Sequence, residues 1–171
     1  MNIPREYLAA YAVSNLVALA LLALAFWRPR WVRLATIAIF AWASAVNTRI
    51  ALFHPEDYQG FADLAVLTVY RDFITGWFAR HTAAMLLPIA AGQLAIALLL
   101  LPNWRRWRRL SVGGAALFLI AISPLGVGSA FPFSVIYIVA LLVMERGLGR
   151  AERSRLSLSR DMTYAAEQRL G

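Results

Sequence analysis

Only a few side chains that can bind a ligand lie inside or beside the long apolar runs of this sequence. Two stand near the end of the second run, one in the middle of the third and one at the end of the fourth, and four more lie in the segment before the third run. Their amide, guanidinium, carboxylate, hydroxyl and ring groups can hydrogen-bond, pair with charge or stack. We regard these eight as candidate ligand-binding residues: Asn47, Arg49, Asp63, Tyr70, Trp77, His81, Gln93 and Ser123.

The sequence predicts no catalytic residue, metal site or cofactor. It has no cysteine, so thiol redox chemistry and Cys-ligated metals are excluded. No H-E-x-x-H, G-x-S-x-G or P-loop pattern occurs. His54 and His81 are 27 residues apart without a second pair of ligands, which favours interfacial histidines over haem or metal ligands. No carboxylate lies within an apolar run, which argues against proton-coupled transport.

The elements that must position these residues are transmembrane helices. The chain is 61% hydrophobic, with a mean hydropathy of +0.62, and its apolar residues lie in long runs. Such runs fit a bilayer, because a crossing helix needs about 20 residues. The predicted fold is an all-α transmembrane helix bundle over 1–146. Five spans are predicted, at 7–27, 31–53, 82–101, 110–125 and 131–144. A four-span variant arises if 110–144 is one broken span.

The arginines predict the orientation. All 17 basic residues are arginine. Thirteen of them lie between spans one and two or at the start of span two, between spans three and four, or after span five. Basic residues collect on the cytoplasmic side, so we expect the N-terminus outside and the C-terminus in the cytoplasm. Because these arginines flank apolar runs, the predicted partner is the lipid bilayer and not nucleic acid.

The segment 54–81 is predicted to lie at the outer membrane interface as a helix that then turns into span three. At 100° per residue, Asp63, Tyr70, Ile74, Trp77 and His81 fall on one stripe of that helix. The prolines and glycines of 124–132 predict an irregular turn between two short spans, which would form a recessed outer vestibule.

Several polar residues have alternative interpretations. Arg49 either extends to the outer interface or pairs with Glu56, Asp57 or Asp63. Asn15, Asn47 and Gln93 are more typical of interhelical hydrogen bonds than of ligand contacts. The small residues of span one and span four predict close-packing faces. These are Ala9, Ala12, Ala20, Ala23, Gly113 and Gly114.

The basic segment 147–171 follows the last span. It is either an amphipathic helix held to anionic lipid at the cytoplasmic face or a frayed tail.

The overall pattern resembles the small DoxX-like membrane proteins of bacteria. The likeness lies in size, in the outer segment between spans two and three, and in RHTAA at 80–84 and PIAAGQ at 88–93. The resemblance implies an accessory subunit of the bacterial inner membrane, in a family usually regarded as four-span bundles and sometimes linked to redox or oxidative-stress complexes.

Three functions follow from these observations. The first is a non-enzymatic accessory subunit, scaffold or small-ligand-binding module with a recessed outer pocket, in a homo- or hetero-oligomer. The second is a small transporter or channel with Asn47, Arg49 and Gln93 along its path. The third is a lipid- or quinone-binding enzyme subunit, for which Arg49, Tyr70, Trp77 and His81 offer hydrogen-bond donors or rings.

Overall fold

The computed structural model of the protein describes residues 5–60, 62, 65, 67–102, 104–125 and 131–170. These residues form an all-α structure without strands. Short 3₁₀ helices lie at Pro55–Gly60 and Ser123–Leu125, and a π-helical turn lies at Ile74–Phe78. The six α-helices are α1 Arg5–Trp27, α2 Pro29–Phe53, α3 Thr68–Phe73, α4 Thr82–Leu100, α5 Arg105–Ile122 and α6 Phe133–Leu170.

Among the described residues, three helices are long and apolar enough to cross a membrane, and they indicate a membrane protein. They are Leu8–Trp27 within α1, Pro29–Phe53 and Thr82–Leu100. They coincide with the first three predicted spans. Pro29 begins α2, where its missing N–H breaks no helical hydrogen bond and its fixed φ suits a first turn.

The two other predicted spans, 110–125 and 131–144, do not meet the same requirement. Helix α5 opens with four arginines among its first five residues, so only 110–122 is free of charge. Helix α6 reaches Glu145 after 12 residues. At about 1.5 Å per residue, each uncharged stretch covers only about 20 Å. The structure therefore supports three spans by length and composition, and not five.

Helix α6 does not end where the sequence placed the end of the last span. It runs unbroken for 38 residues, or about 57 Å, through Gly147 and Gly149 into the basic segment. Alanine, glutamate, leucine and arginine dominate after Gly149, and all four favour helix. From Arg153 to Met162 every side chain is exposed.

The helices pack around one main core. Helix α2 packs most extensively on α4, α1 on α6, and α5 lies against both α4 and α6. Tyr137, Leu141 and Met144 of α6 are fully buried in this core beside Ala18 and Ala25 of α1.

The packing face predicted for α1 is wrong, because Ala9, Ala12, Ala20 and Ala23 are exposed. Helix α1 has apolar residues on all of its faces, so its sequence does not distinguish a lipid-facing side from a packed side. In α5, Gly114 does lie against a neighbour, since a Cβ there would stand 3.4 Å from Ile96 Cγ1.

The bundle has two distinct ends. At one end, the segments 28–33, 105–109 and 145–155 lie together, since Arg30, Arg108 and Arg155 line the same cavity. We call this the arginine-rich end. The other, called the opposite end, holds the segment 54–81.

Candidate functional site

A small apolar cluster fixes the segment 54–81 onto the ends of α2 and α4. Ala51, Ile74, Phe78 and Leu86 are buried together, and the Tyr58 ring packs on Phe78 with ring centroids 5.3 Å apart. Burial raises the pKa of the Tyr58 phenol above its ordinary value of 10.0. The first turn of this segment is a 3₁₀ helix that begins at Pro55.

Tyr70, Trp77 and His81 present their side chains at this end. The Tyr70 hydroxyl donates to the Ala121 carbonyl at 2.9 Å, which ties α3 to the end of α5. The Trp77 and His81 rings stack with centroids 4.5 Å apart and 19° between their planes. His81 Nδ1 lies 2.9 Å from the Trp77 carbonyl oxygen. Because a carbonyl oxygen only accepts, Nδ1 carries the proton in this contact.

The predicted stripe does not hold along this segment. Ile74 is buried, whereas Trp77 and His81 are exposed and continue a stack from Phe73, whose ring centroid lies 6.0 Å from that of Trp77. The reason is the π-helical turn at Ile74–Phe78, which inserts extra residues per turn and shifts the register. We call Phe73, Trp77 and His81 the aromatic ladder. Asp63 lies outside the described residues.

Asn47 and Gln93 contact each other inside the bundle. Asn47 Nδ2 donates to Gln93 Oε1 at 2.9 Å, and Gln93 is buried. One turn earlier, the Ser44 hydroxyl donates to the Ala90 carbonyl at 2.7 Å. These contacts confirm the predicted interhelical hydrogen bond for Asn47 and Gln93. Asn15 instead donates within its own helix, to the Tyr11 carbonyl at 2.8 Å.

Arg49 is exposed near the end of α2. Within the described residues neither Glu56 nor Asp57 forms an ion pair with it, and Glu56 lies 3.7 Å from His54 Nδ1 instead. Ser123 is half-buried where α5 gives way to a 3₁₀ turn. The turn at 124–132 that would form a vestibule has residues 126–130 outside the described part. Of the seven candidates that the structure describes, four form two contacting pairs, Asn47 with Gln93 and Trp77 with His81. The seven do not form one cluster.

The arginine-rich end holds a buried ion cluster that the sequence analysis missed. The Arg108 side chain is 1% exposed, and its Nε donates to Glu145 Oε2. Arg108 Nη2 lies 3.3 Å from Glu152 Oε2, and Arg109 Nε lies 3.7 Å from Glu145 Oε1. Burial alone would lower the pKa of Arg108, but hydrogen bonds and charge from Glu145 and Glu152 outweigh it and raise the pKa.

One sequence signal for this cluster was available. Glu145 and Glu152 are seven residues apart, which places them on one face of a helix two turns apart. The arginines by themselves predict only the topology. Arg108 and Glu145 are 37 positions apart in the sequence, so no local pattern indicates that they pair. Chemically, these carboxylates hold arginine side chains at the junction of α5 and α6.

A metal site is not indicated in the described part of the chain, where no group of three or more His, Asp or Glu could hold an ion. The comparisons with known proteins add no relative: no protein-family model matches the chain, and no curated protein or solved structure matches it significantly.

Proposed function

We propose that this chain is a non-enzymatic inner-membrane protein of bacteria that acts as an accessory subunit or scaffold for another membrane protein. The observation that carries the proposal is the use of polar side chains inside the bundle. Asn47 bonds to Gln93, and the Tyr137 hydroxyl donates to Thr36 Oγ1 at 3.0 Å. Polar side chains that hydrogen-bond to one another hold helices together, and fewer polar groups are then available to line a substrate path.

The proposed topology adds α5 and α6, in spite of their short uncharged stretches, to the three apolar spans, with the N-terminus outside and the arginine-rich end in the cytoplasm. Two contacts support it. Helix α5 leads from Arg108 at the arginine-rich end to Ala121, which accepts from Tyr70 at the opposite end. Helix α6 contacts Arg108 through Glu145. Arginine segments gathered at one end agree with the preference of basic residues for the cytoplasmic side.

The opposite end offers the surface for a partner. Trp77 is 48% exposed although its ring stacks on those of Phe73 and His81, and Leu67 and Val69 of the same segment are also exposed. Rigid aromatic side chains contribute strongly to protein interfaces, because they bury large areas at low entropy cost. This placement agrees with an accessory subunit, as the resemblance to the DoxX-like proteins implies. The recessed outer pocket predicted from the sequence is also part of this proposal, at the end of the bundle where Tyr70 donates to the Ala121 carbonyl.

The test is co-purification from gently solubilised native membranes. We expect a second membrane protein in fixed ratio with the wild-type chain, and we expect Trp77→Ala to lose it. Trp42→Ala is the matched control, because Trp42 is 69% exposed within α2. The proposal fails if the chain purifies alone under these conditions, and solute flux through liposomes containing it would favour the transporter instead.

A further inference from the structure

A cavity at the arginine-rich end has the charge and the size for a small anion. Its volume is about 230 Å³, and it lies between the first turns of α2 and α5 and the middle of α6. Sites for drug-sized ligands measure about 300–1,000 Å³, so this cavity suits a headgroup fragment and not a large ligand. Arg30, Arg108 and Arg155 line it together with Glu152, while Leu148 and Leu156 form an apolar wall.

The charges around this cavity do not balance. Arg108 and Arg109 share Glu145, and Arg108 also contacts Glu152. Arg30 and Arg155 are exposed and form no ion pair within the described residues. The positive charges of Arg30 and Arg155 are therefore not compensated. They lie beside Arg108, whose side chain is held in place by Glu145 and Glu152.

The surroundings place this excess charge at the level of lipid headgroups. Trp27, Trp31 and Trp104 at this end are each more than half exposed. Exposed tryptophans beside apolar helices are typical of the boundary between hydrocarbon and headgroups. Arginine matches phosphate oxygens with paired N–H donors, which favours phosphate over a spherical anion.

We propose that this cavity binds an anionic phosphate group through Arg30 and Arg155. Arg108, which Glu145 and Glu152 hold in place, lines the buried side of the cavity. The phosphate belongs either to an anionic phospholipid or to a small soluble phosphate. This site goes beyond the proposed accessory function, because it lies at the end away from the aromatic ladder and needs no protein partner.

The experiment measures binding to purified protein in detergent. Phosphatidylglycerol, phosphatidylcholine and inorganic phosphate are titrated separately, and bound ligand is counted by native mass spectrometry. We expect phosphatidylglycerol to bind more tightly than phosphatidylcholine. Arg30→Gln and Arg155→Gln should each weaken that binding about tenfold, as loss of a charge-assisted hydrogen bond would.

The matched controls are Arg105→Gln and Arg150→Gln, which remove the same charge from exposed positions at the same end, outside the lining of the cavity. They should change binding less than twofold. If inorganic phosphate binds and competes with phosphatidylglycerol, the site is supported and its ligand can be a soluble phosphate. Controls that weaken binding as much as the cavity variants would overturn the proposal, as would no binding of any phosphate. Circular dichroism of all four variants checks the fold, which these exposed arginines do not hold together.

Discussion

Glu145→Gln should destabilise the protein far more than Glu152→Gln, although both carboxylates contact the same arginine. Removing one partner of a buried ion pair costs about 3–5 kcal/mol, because a charge stays in a low-dielectric site without compensation. Glu145 is 14% exposed and Arg108 is 1% exposed. Because Glu152 still contacts Arg108 in Glu145→Gln, we expect a cost at the lower end of this range, about 3 kcal/mol. Glu152 is 40% exposed, where an ion pair contributes about 1 kcal/mol or less.

The assay is unfolding in mixed micelles with a rising fraction of sodium dodecyl sulfate, followed by tryptophan fluorescence and circular dichroism. A third variant separates charge from packing. Arg108→Met combined with Glu145→Leu replaces the pair by apolar side chains of similar length, and it should cost much less than Glu145→Gln alone. Equal costs for Glu145→Gln and Glu152→Gln would refute the reasoning, since burial would then not decide the contribution.

Three further predictions use the same unfolding assay. Gly147→Ala should cost about 1–3 kcal/mol, because its Cβ would stand 3.2 Å from the proline that begins α2, whereas Gly149→Ala meets nothing within 4 Å and should stabilise α6. Asn47→Leu should cost about 0.6–1.7 kcal/mol by leaving Gln93 without this donor. The folded state favours the protonated Tyr58 phenol, so the wild-type protein should lose stability as the pH rises above about 10. Tyr58→Phe should remove this loss.

Each of these has an outcome that contradicts it. Equal stabilities of Gly147→Ala and Gly149→Ala would mean that α2 and α6 do not approach closely at this position. An unchanged midpoint for Asn47→Leu would mean that the amide contact contributes nothing. A steeper alkaline loss in Tyr58→Phe would reverse the assigned sign.

The ends of the first three membrane helices could be predicted from the sequence to within a few residues, because uncharged runs and the bilayer thickness both limit them. The continuation of α6 could not be predicted in the same way. The sequence predicts the end of the last span where charged residues begin, but charge ends only the apolar part of a helix and not its backbone hydrogen bonding. Gly147 lies inside this helix, where a Cβ would stand 3.2 Å from Pro29 Cγ.

The packing of side chains was harder to predict than the helices. Helix α1 is apolar on all sides, so no periodic pattern marks Ala18 and Ala25 as its buried positions. In the segment 54–81, the sequence predicts one regular helix, but the π-helical turn at Ile74–Phe78 changes which residues share a face. The interhelical hydrogen bond predicted for Asn47 and Gln93 is present, whereas Asn15, for which the same role is predicted, donates to the Tyr11 carbonyl of its own helix.

The buried ion cluster and the proposed phosphate site lie side by side, yet they depend on different residues. Arg108 is held by Glu145 and Glu152, so its charge is already compensated and its main contribution is to the packing of α5 on α6. Arg30 and Arg155 contribute little to that packing because they are exposed. Stability and phosphate binding should therefore separate. Glu145→Gln lowers the free energy of unfolding, and Arg155→Gln weakens phosphate binding while leaving that free energy within about 0.5 kcal/mol, as is usual for surface substitutions.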